Sequence, residues 1–411
     1  MKHRFLTSIG VVAVITVMSL SLTTVLGQAP TANPKTGTAT NTTAPPVKTI
    51  WGEPDLQGIW TDDYQIPLQR PAKFAGKAFF TEAELAELDR QRAAILRRDY
   101  RAARGTEADV GGAYNAVFIS VKHTGRRTSL IVDPPDGRIP AMTPAAAKMR
   151  SDVREFQLAL LQATQLCKQN QAGPGTPVRN GVAGGASCAG GQYGAPSPRR
   201  FDRAPYYVTA GLNRADGPED RNLSERCMSA QLPDFSGFRR IVQSPGQVSM
   251  FYDVGQGQGW QRNIVMNGSP HLPVGIRQWY GDSRGHWEGD TLVIDVTNFS
   301  PKTDVQGSRE NLHLVERWTR TGPAALEYVV TIEDPTVWTR PWIVKQEFTR
   351  QSEQENRIYY EPRCIEGNYA FPAMMLASRV EDLAFAEGRG PNPATKDNAT
   401  DFVGVEQDPF Q

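Results

Sequence analysis

The stretch from Trp279 to Arg350 constrains the fold more than any other part of the chain. It reads WYGDSRGHWEGDTLVIDVTNF, then LHLVERWTR, LEYVVTIEDP and WIVKQEFTR, with turn-forming residues between the segments. Apolar and polar residues alternate with a period of two, which is what a β-strand with unlike faces requires. Leu292, Ile294 and Val296 share one face, and Thr291, Asp295 and Thr297 share the other with Val293. Leu312, Leu314 and Trp318 form the next apolar face, then Leu326, Tyr328, Val330 and Ile332, then Trp342, Val344 and Phe348. The pattern predicts an antiparallel meander, with residues 283–287 paired to 291–297 across a three-residue Glu288-Gly289-Asp290 connection.

The remaining chain adds strands and a few helices. Residues 51–60 read as a turn entering a strand. Thr81 opens a helix near 81–104, with Glu84 as its capping-box partner. Thr128–Pro140 is a strand and a turn. A second helix near 143–167 carries Pro144 in its first turn, where a missing N–H costs least. Residues 238–254 read as two short strands around Ser244-Pro245-Gly246, and GQGQGW after them as a flexible loop over a mouth. The fold class is therefore mainly β with a few helices (α+β), the meander forming a calycin-like barrel or a strongly curved sheet.

The N-terminus is an address. Lys2, His3 and Arg4 precede an apolar run from Ile9 to Leu26, and Val25-Leu26-Gly27 supplies small residues for cleavage. Residues 1–27 read as a secretory signal peptide, the alternative being an uncleaved anchor, since the run is close to a bilayer span. Residues 28–48 are Thr, Ala, Pro and Asn with almost no large apolar group, which predicts a disordered linker. One β-rich domain then occupies 49–380, with a Gly-rich insertion at 168–200, and a polar tail runs over 381–411. The expected location is periplasmic or extracellular.

Four cysteines, Cys167, Cys188, Cys227 and Cys364, sit in the exported part, and an even count in an oxidising compartment predicts two disulfides. Of the three pairings, Cys167 with Cys188 and Cys227 with Cys364 is favoured, each contributing roughly 3–5 kcal/mol in the chain-entropy model. Lys plus Arg is 45 against 44 for Asp plus Glu, so no basic face is declared and nucleic acid is not an expected partner. No stretch after the leader is apolar enough to span a membrane. Oligomeric state is left open by the sequence.

Few catalytic motifs are present. There is no G-x-S-x-G and no C-x-x-C. Gly255-Gln-Gly-Gln-Gly259 lacks the Lys-Ser/Thr and the strand–helix setting of a phosphate loop, so no cofactor is expected. His123, His271, His286 and His313 show neither H-x-H nor H-E-x-x-H spacing, so no metal site is expected. Glu316 stands out because it shares a strand face with Leu312, Leu314 and Trp318. A carboxylate there is costly unless it is paired or functional. A salt bridge to a buried Arg is the plainer account. Gln346 lies similarly between Val344 and Phe348. His313, three residues before Glu316, must face the other way in a regular strand.

The expected function is binding of a small, partly apolar molecule inside the barrel, with Glu316, Gln346, Arg277, Trp279, Trp318 and Tyr328 as ligand contacts. The alternative is a hydrolase, lyase or isomerase on the same scaffold, with Glu316 or Asp295 as acid or base and His271 or His313 assisting. A third reading is a structural envelope protein with no pocket.

Gly58-Ile59-Trp60 near the start of the domain is similar to the G-x-W of the first lipocalin strand, and the run of hairpins fits the same calycin class. More specifically, PDLQGIW (54–60), RRTSLIVDPPDGRIP (126–140), GPEDRNLSERC (217–227), HLPVGIRQWYGDSRGHWEGDTLVIDVTNF (271–299), NLHLVERWTR (311–320), EDPTVWTRPW (333–342) and CIEGNY (364–369) resemble a family of exported bacterial proteins of unknown function. The resemblance implies export and assigns no catalytic residue.

Overall fold

A computed structural model describes residues 47–96, 122–161, 202, 217–221, 226–228, 231–235, 237–255, 258–351 and 370–390. The leader, most of the linker, the Gly-rich insertion, Cys167, Cys188, Cys364 and most of the C-terminal tail lie outside them. In chain order the strands are β1 (Gly58–Thr61), β2 (Tyr64–Gln65), β3 (His123–Thr124), β4 (Ile131–Asp133), β5 (Phe238–Ser244), β6 (Gln247–Gly255), β7 (Gln258–Val265), β8 (Asp282–Glu288), β9 (Thr291–Thr297), β10 (His313–Gly322), β11 (Ala325–Glu333) and β12 (Trp342–Arg350). The helices are α1 (Glu82–Leu96), α2 (Pro144–Leu161) and α3 (Ala370–Ala386). Helix α3 carries regular structure into the region that the sequence reads as a polar tail.

Strands β1 and β5 to β12 close into a nine-strand mixed barrel, consistent with the calycin-like expectation. Strand β1 makes the closure. It pairs with β5 (Gly58↔Ile241 to Thr61↔Phe238) on one side and with the end of β12 (Trp60↔Arg350, Thr61↔Thr349) on the other. Strand β4 pairs with the beginning of β12. The alternation seen in β9 to β12 is realised as an inward face of large apolar side chains, and Leu292, Ile294, Leu314, Trp318, Tyr328, Val330 and Val344 are fully covered.

Two local expectations are corrected. The β8–β9 connection has two residues, because Glu288 pairs directly with Thr291. Only the first of them, Gly289, has positive φ (60°), the pattern of a II′ turn, which wants glycine there. The GQGQGW stretch is strand on either side of 256–257, because β6 and β7 pair from Gln247↔Val265 out to Gly255↔Gln258. The meander β8 to β12 is antiparallel throughout, as expected, and the parallel contact lies just before it. Residues 266–281 cross over so that β8 lies parallel to β7, through the single pair Val265↔Arg284.

Both expected helix starts are capped as their sequences imply. The Thr81 N–H donates to Glu84 Oε2 (2.7 Å) and the Glu84 N–H to Thr81 Oγ1 (3.3 Å), a capping box. The hydrogen bond from Lys77 leads, and the bonds to Thr81 add to it, in holding the Glu84 carboxyl at about 2. Thr143 caps α2 by accepting from the Ala146 N–H (3.2 Å). Its own N–H donates to the Val337 carbonyl (2.9 Å), which ties the helix start to the β11–β12 connection. Ala146, Phe299, Leu312, Val337 and Trp338 belong to the same apolar core as the barrel interior, so α2 and the 298–312 and 334–341 loops cover this end. Cys227 is the one cysteine among the described residues, and it is disulfide-bonded. Its partner, and hence the pairing, lies outside them.

Candidate functional site at one end of the barrel

The barrel interior holds a polar knot rather than an open lumen. Glu316 on β10 faces inward, as the two-residue period requires. It is covered completely and lies 2.6 Å from Arg262 Nη2 on β7, an ion-pair contact off the linear hydrogen-bond direction. The Tyr328 hydroxyl donates to Glu316 Oε1 (2.7 Å). Arg262 Nε donates to Ser283 Oγ (2.8 Å), and Nη1 reaches the Tyr252 hydroxyl at 3.4 Å. Burial opposes the charge on Arg262, but Glu316 and Tyr252 together outweigh it and keep the guanidinium protonated. Burial pushes the Tyr252 hydroxyl up to about 12 and that of Tyr328 well above its usual value.

Aromatic rings fill the space around the knot. Trp318 stacks on Tyr328 at 4.1 Å, and Tyr252 on Trp260 at 4.4 Å, with Tyr280 against the other side of Trp260 at 3.8 Å. The Arg239 guanidinium lies 3.7 Å from the centre of the Phe348 ring. Glu316, Trp318 and Tyr328 have no exposed surface and Gln346 has 2 %, so four of the six expected ligand contacts are core residues. Trp318, Tyr328 and Phe348 pack ring against ring beside Glu316. The other two, Arg277 and Trp279, lie on the crossover. Arg277 is exposed and donates to the Glu310 carbonyl (2.6 Å), while Trp279 is half-buried.

The three remaining candidates meet on the outer wall. Asp295 on β9 points outward and accepts on both oxygens, with His271 Nε2 at 2.8 Å from Oδ1 and His313 Nε2 at 3.0 Å from Oδ2. His271 reaches the wall from the crossover, and its Nδ1 lies 2.9 Å from Asp282 Oδ2. His313 Nδ1 lies 3.6 Å from Glu333 Oε2, in ion-pair range only. Arg284 pairs with Asp282 at 3.1 Å. The hydrogen bond with His313 leads in holding the Asp295 carboxyl below its ordinary value, with His271 adding to it. The same bond leads in raising His313. The sequence named these residues but not their meeting, because the crossover that brings in His271 carries no periodicity. Arg262 was missed although Trp260, Arg262 and Ile264 alternate, because the glycines beside them read as a loop.

A cleft of about 490 Å³ opens at this same end. Ala145, Ala146 and Met149 from the first turns of α2 and Val337 from the β11–β12 connection supply an apolar floor. Lys302, Arg309, Glu310 and Asn311 from the β9–β10 loop supply polar groups. Arg309 is held by Asp304 (3.0 Å), and Lys302 pairs with Glu219. The cleft and the outer cluster share a rim: Asn311 lies two residues before His313, and Asp334, also in the cleft, follows Glu333. Among the described residues no group of three or more His, Cys, Asp or Glu side chains is placed to hold a metal ion. No helix among them is long and apolar enough to cross a membrane.

No family model matches the chain, and no curated protein matches it. Among solved structures it is similar to a point mutant of the fluorescent protein UnaG, at 15% identity over 28% of this chain and 72% of that one, with a TM-score of 0.18. A likeness at that level says nothing about what this chain binds.

Proposed function

We propose that the protein is an exported barrel that holds a small, partly apolar molecule in the cleft at the loop end, outside the filled interior. The cleft is the observation that carries this reading. Its volume is in the range of small-molecule sites, and it combines an apolar floor with a few polar groups, the usual makeup of such a site. Its walls are fixed by backbone bonds, including Thr143 N–H to the Val337 carbonyl (2.9 Å) and Val305 N–H to the Ser308 carbonyl (2.8 Å), so it is largely preformed. Export rests on the basic start and the apolar run before Gly27. A mature chain beginning at Gln28, found by mass spectrometry of the exported protein, tests that part.

The binding test is to purify the protein from its native host and identify small molecules that co-elute with it. Ala145 is exposed at the cleft wall, so Ala145→Trp fills the cleft without disturbing the barrel core. The expected result is a molecule that accompanies the wild type and is lost from Ala145→Trp. Equal recovery from both would remove the cleft from consideration.

A second reading is favoured by one observation. The half-exposed His313 ring is held by Asp295 at the cleft rim, the arrangement of a general acid or base. An enzyme of that kind would lose turnover of the bound molecule in His313→Gln while still binding it.

A further inference from the structure

The crossover 266–281 is poorly held by the sheet. Between β7 and β8 the backbone contributes only the pair Val265↔Arg284. Side chains hold it instead. The Leu272 N–H donates to Asp282 Oδ2 (2.9 Å), Arg284 Nη1 to Ser269 Oγ (3.0 Å), and His271 sits between Asp282 and Asp295. The crossover is bonded in turn to the loop that forms one wall of the cleft. The Gln278 N–H donates to the Asn298 carbonyl (2.9 Å), the Ser300 N–H to the Gln278 carbonyl (2.7 Å), and Arg277 to the Glu310 carbonyl (2.6 Å).

We propose that His271, with a proton on each nitrogen, latches the 266–281 crossover and the adjoining cleft wall to the outer face of the barrel, that His313 fixes the Asp295 carboxylate which receives it, and that the latch loosens as His313 loses its proton. The link to ligand control rests on the reading of the cleft as the binding site; the latch itself does not.

Hydrogen-bond stoichiometry supports this. A carboxylate only accepts, and a neutral imidazole donates from one nitrogen. Both His271 nitrogens face carboxylate oxygens, so both contacts are hydrogen bonds only when the ring carries two protons. Charge balance points the same way. The groups facing the rings are Asp282 and Arg284 on β8, Asp295 on β9 and Glu333 on β11. With both rings charged, cations and carboxylates in the cluster are equal in number. With both neutral, Arg284 alone faces all the carboxylates.

The direction with pH follows. His313 is raised above its ordinary 6.5, chiefly by its bond to Asp295. Its contribution is therefore fully present below 6.5 and lost as pH rises through the raised value. Asp295 is held below its ordinary 3.8, chiefly by His313, so its contribution is present above 3.8 and lost as pH falls through the depressed value. The latch grips on the acid side of neutrality, between these limits.

The test is hydrogen exchange read by mass spectrometry on the full mature chain, at about pH 5.5 and about pH 8.5, on either side of the usual histidine range. Comparing wild type with His271→Asn and with His313→Asn at each pH cancels the intrinsic dependence of exchange on pH. At the acid pH, 268–281 and 300–310 should exchange several-fold more slowly in wild type than in either variant, while β10 to β12 are unchanged. At the alkaline pH the difference should shrink. Equal exchange at the acid pH would overturn the latch, and so would a change in 268–281 that leaves 300–310 untouched. No ligand enters the measurement, so failure to find a co-eluting molecule would not count against it, and a flat result would leave the cleft reading standing.

Discussion

Removing the Glu316 carboxylate leaves the buried Arg262 guanidinium without its carboxylate partner. Breaking a buried pair from one side is expected to cost about 3–5 kcal/mol, because the remaining ion keeps its desolvation penalty and loses its partner. Glu316→Ala should therefore lower the urea midpoint sharply. Glu316→Leu combined with Arg262→Met, which removes both charges at similar volume, should recover most of that loss. A single variant as stable as wild type would mean that water reaches the pair. The alternation of LHLVERW was enough to predict that Glu316 faces inward. Its partner was hidden because the glycines that precede Trp260 weaken the strand signal. Gly259 is glycine for a packing reason: a Cβ there would lie 2.4 Å from Phe251 Cζ. The residue that made the stretch look like a loop is one that lets two strands pack closely.

At the scale of elements, the β8–β9 hairpin separates two uses of glycine. Gly289 has positive φ, and a Cβ there would meet nothing within 4 Å, so its requirement is conformational. Gly285 has ordinary φ, but a Cβ would meet Met266 Sδ at 2.4 Å and Ile264 Cγ2 at 2.7 Å, so its requirement is space. Gly289→Ala should cost about 1–2 kcal/mol of left-handed strain. Gly285→Ala should cost about 1–3 kcal/mol through overpacking. Met266→Ala, which clears the nearer contact, should ease the second and leave the first unchanged. Thermal melts of the two single variants, each with and without Met266→Ala, check this, and equal rescue of both would contradict it. Strands β9 to β12 were legible because each has one wet and one dry face. The parallel partner of β8 was not, since a period of two carries no information about strand direction. What sets it is the crossover, held by single side-chain bonds from Ser269, His271 and Arg277 rather than by a repeating pattern.

At the scale of the whole molecule, the barrel is shut by one short strand. Without β1, the edges of β5 and β12 are open, and unpaired edges expose backbone donors and acceptors to other chains. All four residues of β1 pair with β5, but only Trp60 and Thr61 pair with β12, so the seam on that side is short. Further hold comes from Trp60, which is fully buried and donates through Nε1 to the Leu56 carbonyl (2.8 Å), with the Arg320 guanidinium 5.8 Å from its ring. Arg320 in turn donates to the Asp55 carbonyl (2.9 Å), and Gln243 on β5 bonds Leu56 N–H (2.7 Å) and the Pro54 carbonyl (3.1 Å). The G-x-W resemblance placed this strand correctly as the first of the barrel, but not its role as the closing stave, because closure depends on contacts nearly the length of the domain apart. Trp60→Ala removes a large buried side chain and the bond that orients it, at an expected cost of about 3–5 kcal/mol. The loss should be accompanied by faster hydrogen exchange at the edges of β5 and β12 and by concentration-dependent association. Trp60→Phe, which keeps most of the ring, should show a smaller loss of stability and little association. If Trp60→Ala lost stability while both edges stayed protected, the tryptophan would be core filling alone and the barrel would be closed by something other than β1.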